Sequence, residues 1–171
     1  MGIIRRLPFP NKILNLQMEV RDIQQILYNT FAQHIIVVNS FIFDGRFETD
    51  FAYVTDSGFG YEIEIKRSVG DFRNDFNKAT HWKRYKHKYI QAGRGRQNYF
   101  SFCFESKELA EACLSEVPKQ YGVYFVSKGQ VYSWALRNPT RLHSRKMDWY
   151  KITKKIAASY KTRFFREDYW Y

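Results

Sequence analysis

Polar and apolar positions alternate strictly along Thr49-Asp50-Phe51-Ala52-Tyr53-Val54-Thr55 and again along Tyr61-Glu62-Ile63-Glu64-Ile65-Lys66, with Asp56-Ser57-Gly58-Phe59-Gly60 between them. A period of two marks half-buried strands, and a Gly-rich break between two such runs predicts a β-hairpin. If all five break residues form the turn, the hairpin closes on Thr55 and Tyr61. Asp50 then stands opposite Lys66, Ala52 opposite Glu64, and Val54 opposite Glu62. Because side chains alternate faces along a strand, Asp50, Ala52, Glu62, Glu64 and Lys66 share one face, and the small Ala52 leaves space beside Glu64. Ile63 and Ile65 are left to anchor the other face in the core.

Upstream of this hairpin, Pro8 and Pro10 make an extended lead-in. Leu16, Val20, Ile23, Leu27 and Phe31 then recur at helical spacing and predict one amphipathic helix, with Glu19 at the edge of its stripe. The β-branched run Ile35 to Phe43 predicts a buried strand that turns at Asp44-Gly45 into the hairpin, giving an antiparallel meander of three strands. His34 has no partner nearby in sequence and reads as structural.

Downstream, the chain turns at Ser68-Val69-Gly70 and enters a second helix near Asp71. Asp71, Asp75, Lys78, Trp82 and Tyr89 fall on one arc of that helix, while Phe72, Phe76, Ala79 and Ile90 make a separate apolar stripe. The two aspartates either adjoin the hairpin's carboxylates or serve the helix N-terminus and pair with Arg73 or Lys78. Asn98 to Phe104 alternates as a strand, Ser106 caps a helix to about Glu116 with Leu109, Ala112 and Cys113 inward, and Pro118 lies beyond its end. Two further strands, Gly122 to Val126 and Gln130 to Leu136, precede a break at Asn138-Pro139. Met147, Trp149, Tyr150, Ile152 and Ile156 offer helical spacing in a C-terminal segment.

Charge changes the picture by its distribution. The 171 residues carry +11, but residues 1–66 hold 6 basic and 8 acidic side chains, residues 67–98 hold 9 and 2, and residues 99–171 hold 13 and 7. An acidic patch followed by a strongly basic half suits a protein that holds a polyanion. Lys83, Arg84, Lys86 and Lys88, interleaved with Trp82, Tyr85 and Tyr89, together with Arg94 and Arg96, suit phosphate contacts and ring stacking. His81 and His87 are six apart and do not share a helical face, which argues against zinc there. Cys103 and Cys113 lack ligand spacing and read as buried thiols. No apolar run is long enough to span a membrane and no signal peptide is recognisable, so a cytoplasmic, soluble protein with no membrane partner is expected.

Two carboxylates and an ammonium on one strand face suit phosphodiester hydrolysis assisted by a hard divalent cation. Asp50 and Glu64 are the expected ligands, with the Ile65 carbonyl as a third oxygen, and Glu19 and Glu62 as additional candidates. Lys66 is placed to orient or deprotonate water and to oppose developing charge.

Asp50, a hairpin turn, and Glu64-Ile65-Lys66 resemble the motif of the PD-(D/E)xK nuclease superfamily. The run Glu64-Ile65-Lys66-Arg67-Ser68 with Asp71-Phe72, Asp75 and Lys78 is similar to that of MmcB-like DNA repair proteins and related phage-encoded proteins, as are Pro118, Tyr121 to Val126 and Pro139 to Leu142. Thr49 stands where the motif often has proline, and Glu62 adds a carboxylate to the pattern. The resemblance spans about residues 16–143. It implies an α/β, restriction endonuclease-like αβββαβ core with a mixed sheet flanked by helices, and a Mg²⁺- or Mn²⁺-dependent nuclease acting on DNA, RNA remaining open. Catalysis would fall to Asp50, Glu64 and Lys66, with Asp71, Asp75 and Lys78 auxiliary. Residues 1–143 would form this domain and residues 144–171 a basic, aromatic-rich helical extension packed on it. A non-cleaving binding protein of the same fold and a scaffold recruiting a partner, or a second copy, through the C-terminal aromatics are the competing functions.

Overall fold

The computed structural model describes residues 17–44, 47–77 and 97–164. The proline lead-in, the basic and aromatic stretch from Lys78 to Arg96 and the closing aromatics 165–171 lie outside the described residues. The elements run α1 (Val20–Thr30), β1 (Ile35–Asp44), β2 (Phe47–Val54), β3 (Gly60–Lys66), α2 (Val69–Asn77), β4 (Tyr99–Phe104), α3 (Lys107–Cys113), β5 (Gly122–Phe125), β6 (Trp134–Arg137) and α4 (Trp149–Phe164). The order through β4 is the expected αβββαβ, and the molecule is an α/β protein.

The six strands lie in sequence order in one open sheet. β1, β2 and β3 form an antiparallel meander, β3, β4 and β5 run parallel, and β6 returns antiparallel to β5. Parallel strands need both faces covered, and the near-continuous apolar run of β4, Tyr-Phe-Ser-Phe-Cys-Phe, meets that demand. On one face α1 inserts Ile23, Ile26 and Leu27 against Phe51, Tyr53, Ile63, Ile65, Cys103 and Tyr124. On the other, Phe72 of α2 and Ala110 and Cys113 of α3 pack with Phe100, Phe102, Phe104, Tyr121 and Val123. Beside them, Ile152 of α4 and Met147 join Ile42, Phe43, Ala52 and Val54. Each fully buried Phe or Ile side chain contributes about 1.5–3 kcal/mol of transfer free energy, so the three clusters are the main source of stability.

The C-terminal segment is fastened to the sheet by hydrogen bonds as well as by packing. Asn98, fully buried, accepts from the Gly60 N–H (2.8 Å) and donates to the carbonyls of His143 (3.0 Å) and Arg145 (2.8 Å). The Met147 N–H donates to the Gly58 carbonyl at 2.8 Å, and Lys155 Nζ reaches the Ile42 carbonyl at 2.9 Å. Gly60 is required where this segment crosses the hairpin, because a β-carbon there would meet Met147 Sδ and come within 2.7 Å of Phe43 Cε1.

Several sequence expectations need correction. The hairpin loop is three residues rather than five: the Gly58 N–H donates to Thr55 O (2.8 Å), Gly58 takes a φ of +83°, and the Thr55 N–H donates to Phe59 O (3.0 Å). A turn followed by a left-handed glycine is a preferred three-residue hairpin connection, and here Gly58 supplies it. The register therefore shifts by two, with Ala52 opposite Glu62 and Val54 opposite Gly60. β1 is an edge strand and is buried only in part: Ser40, Ile42 and Phe43 are buried, whereas Ile35 at its start is exposed. In α1, Ile26 is buried while Val20 is exposed, since the inward arc centres one turn further on. Ala110, not Ala112, faces the core from α3, which ends at Cys113. The last strand begins only at Trp134; Val131 and Tyr132 lie in the exposed connection before it. Ser106 caps α3 as expected, accepting from the Leu109 N–H at 3.2 Å, and both cysteines are free and buried.

Candidate catalytic site

The central strand β3 carries the candidate chemistry. Ile63 and Ile65 face α1, so Glu62, Glu64 and Lys66 face the opposite layer, in register with Phe100, Phe102 and Phe104 of β4. That side of the sheet holds two separate apolar clusters, one under α2 and α3 and one under α4, and the polar stripe of β3 runs between them. Glu62, Glu64 and Lys66 are only 1%, 3% and 5% exposed. Three ionisable side chains on consecutive inward positions are costly to bury, and such burial is a frequent mark of a functional site.

Glu64 Oε2 and Lys66 Nζ are 3.9 Å apart. Asp50 stands beside this pair by an unusual route. The β2–β3 ladder ends at Phe51 opposite Ile63, and beyond it the Asp50 carboxylate takes over, its Oδ2 accepting the Ile65 N–H at 2.9 Å. The corrected register thus sets Asp50 level with Glu64 rather than with Lys66. In a strand, the N–H and C=O of one residue leave on the same side, so the Ile65 carbonyl also points toward Asp50.

Glu62 is occupied differently: its Oε1 accepts from Thr49 Oγ1 at 2.9 Å, on a pair in which both residues are 1% exposed. Thr49, at the position the motif often gives to proline, therefore has a contact of its own on the same strand pair. Glu19 lies in the α1 layer, largely exposed, 3.8 Å from the Arg67 guanidinium. Asp71 is exposed and turned back on the chain, its Oδ2 accepting the Arg67 N–H at 3.2 Å while its own N–H donates to Ser68 Oγ at 2.9 Å. These bonds serve the start of α2. Asp75 lies on α2 with its side chain outside the described residues, as are Lys78, Lys83, Arg84, Lys86, Lys88, Arg94 and Arg96.

Sequence reasoning missed four residues that build this region. Arg67 ties the end of β3 to the residues before α1, donating to Met18 O at 3.0 Å and accepting from Gln17 Nε2 on its own carbonyl at 3.0 Å. Gln24, Asn39 and Thr49 brace the strand that carries Asp50. Only Asn39 left a signal, being a polar, turn-forming residue within a β-branched run.

Whether these groups fit a divalent cation turns on the donor set. Among the described residues no three His, Cys, Asp or Glu side chains converge to hold a metal, so Glu62 and Glu19 do not join Asp50 and Glu64 as a third carboxylate. Two carboxylates and a carbonyl are nevertheless all hard oxygen donors, and Mg²⁺ is commonly held by one or two carboxylates with the remaining positions left to water and substrate phosphate. The set fits that ion.

No known family's sequence profile matches the chain, and no curated protein matches it in sequence. Its fold is similar to that of a protein of unknown function from Silicibacter pomeroyi, with a TM-score of 0.51 and 17% identity over 82% of this chain and 86% of that one. At that identity the likeness is one of fold alone. Among the described residues no helix is long and apolar enough to cross a membrane.

Proposed function

We propose that the protein is a Mg²⁺- or Mn²⁺-dependent nuclease of PD-(D/E)xK type that hydrolyses phosphodiester bonds in DNA. One observation carries the reading: a buried Glu64–Lys66 pair on the central strand, with the Asp50 carboxylate bound to the intervening Ile65 N–H. The bound cation would neutralise charge on the phosphate and lower the pKa of an attacking water. Asp50, Glu64 and the Ile65 carbonyl would hold it. Lys66 directs its ammonium into the same patch, where it orients the attacking water and opposes negative charge developing on the phosphoryl oxygens. The apolar walls on either side of β3 keep the patch poor in water, which strengthens these interactions. The excess of 28 basic over 17 acidic residues supports a polyanionic substrate. The resemblance to MmcB-like and phage-encoded proteins supports a place in repair, recombination or phage DNA processing.

The specific observation favouring a non-cleaving nucleic-acid-binding protein is that, among the described residues, no third carboxylate joins Asp50 and Glu64. The two readings separate when purified protein is incubated with plasmid, linear and branched DNA, and with RNA, in Mg²⁺, in Mn²⁺ and in chelator, beside Glu64→Ala and Lys66→Ala. Metal-dependent cutting of DNA that both substitutions abolish is expected. Retention of labelled DNA without cutting of any substrate would give the binding reading instead.

A further inference from the structure

We propose that α4 and the segment leading into it form a surface that holds the phosphate backbone of DNA along one flank of the candidate site; the inference rests on the reading of DNA as the ligand. Residues 141–155 carry six basic side chains, Arg141, Arg145, Lys146, Lys151, Lys154 and Lys155, against one acidic, Asp148. All seven are exposed. The polar stripe of β3 lies between this flank and the one under α2 and α3. That other flank has the opposite balance, since the equally long run 105–119 carries two basic and four acidic side chains. The Arg73 guanidinium of α2 is engaged there by Glu116 at 2.6 Å. Of the two described walls, the α4 wall is therefore the one that attracts a polyanion.

The helix separates its faces in a way that suits this role. Ile152 is buried and Ile156 half-buried in the cluster with Ile42, Phe43, Ala52 and Val54. At about 3.6 residues per turn, Tyr150, Lys151 and Lys154 fall on the opposite arc, and all three are exposed. Tyr150 is 74% exposed, and Lys154 Nζ lies 5.8 Å from the centroid of its ring. A ring and an ammonium held together on the surface suit contact with a deoxyribose or an unpaired base beside a phosphate. Lys151 pairs with Asp148 at 3.5 Å, but exposed pairs of this kind contribute little and yield to a phosphate.

The surface is also fixed in place. The Met147 N–H donates to the Gly58 carbonyl at 2.8 Å, and Lys155 Nζ donates to the Ile42 carbonyl at 2.9 Å. The Arg141 guanidinium stands 5.7 Å from the centroid of the Phe59 ring in the hairpin loop. These contacts join the basic segment to the hairpin and to β1, so less conformational freedom is lost when DNA binds. An anionic membrane is the competing polyanion. A helix that lies on a membrane needs a free apolar face, and that of α4 is turned to the sheet.

The test measures binding separately from cutting. Fluorescence anisotropy of a labelled DNA duplex, titrated in chelator at a series of salt concentrations, compares the full chain with two triple variants. Lys146→Gln/Lys151→Gln/Lys154→Gln alters the proposed surface, and Lys107→Gln/Lys119→Gln/Lys128→Gln removes the same charge elsewhere. The first is expected to bind about tenfold more weakly and to flatten the slope of log K against log salt by about 2–3 units, the second to stay within about twofold of wild type. Urea denaturation reports the fold of both. Equal weakening in the two variants, no weakening in the first, or no binding of the duplex by the wild type would overturn the proposal. So would tighter binding of the wild type to vesicles of anionic phospholipid than to the duplex. If the first variant loses binding as expected while the wild type cuts nothing in Mg²⁺, the nuclease reading fails and the surface stands. If the wild type cuts and the first variant binds as tightly as it does, the surface fails alone.

Discussion

Lys66→Met is the sharpest perturbation of the candidate site, because it removes one charge from a pair that is almost wholly out of water. At an effective dielectric of about 20, unit charges 3.9 Å apart attract by about 4 kcal/mol. Desolvating each ion costs several kcal/mol, so the pair as a whole is near break-even. Removing one partner keeps the desolvation cost of the other and loses the attraction, which predicts a destabilisation of about 3 kcal/mol for Lys66→Met and a similar loss for Glu64→Gln. In a chain of this length that loss lowers Tm by about 6–12 °C. The double variant Glu64→Gln/Lys66→Met carries neither charge and should lie only about 2 kcal/mol below wild type, a coupling of about 4 kcal/mol between the two sites. Urea denaturation followed by circular dichroism at pH 7 measures all four proteins, and the DNA cleavage assay runs beside it. The double variant is expected to fold well and cut nothing. A coupling below about 1 kcal/mol, the value typical of exposed pairs, would refute the reasoning, since it would mean that Glu64 and Lys66 are solvated and that β3 carries no buried charged site.

Asn98→Ala removes the side-chain hydrogen bonds to Gly60, His143 and Arg145 and leaves the Gly60 N–H buried without Oδ1, so a loss of about 3 kcal/mol in urea denaturation is expected, with earlier proteolytic nicking around residues 143–147. Gly60→Ala drives a methyl into Met147 and Phe43 and should cost about 1–3 kcal/mol by the same measurement. Burial, aided by neighbouring tyrosines, holds Tyr53 and Tyr61 well above the usual phenol range, and burial with the nearby Cys103 pushes Tyr124 up to about 12. The unfolded chain releases those protons first, near about pH 10, so the native state binds more protons and stability falls as pH rises from there toward 12. Absorbance of the phenolate band should therefore rise together with loss of circular dichroism, and Tyr53→Phe should move that transition upward by about half a pH unit; complete ionisation with the fold intact would contradict this.

Alternation alone was enough to locate β2 and β3 and to place Glu62, Glu64 and Lys66 on one face, because the period of a strand is a local property of its backbone. The same local logic located Ser106 as a cap and the two cysteines as buried thiols. Register was another matter. It depends on which glycine takes the left-handed position, and Gly58 and Gly60 are equivalent candidates until the packing of Met147 and Phe43 on Gly60 and the hydrogen bonds of Gly58 separate them. The partial burial of β1 is hidden for a related reason: a β-branched run reads the same in an edge strand as in a central one, and only the order of strands decides.

What the amino-acid order determined by itself is the set of elements, the αβββαβ order and the chemistry available on one face of β3. What only the tertiary structure decided is how those groups meet. Asp50 Oδ2 accepts the Ile65 N–H across the strand pair, while Gln24, from a helix 26 residues earlier in the chain, donates to the Asp50 carbonyl. Glu62 is held by Thr49 across the strand pair, and Glu64 and Lys66 lie between the cluster under α2 and α3 and the one that α4 brings from the far end of the sequence. Each of these contacts joins positions far apart in sequence, and no local periodicity carries a signal for a bond whose partner is chosen by packing.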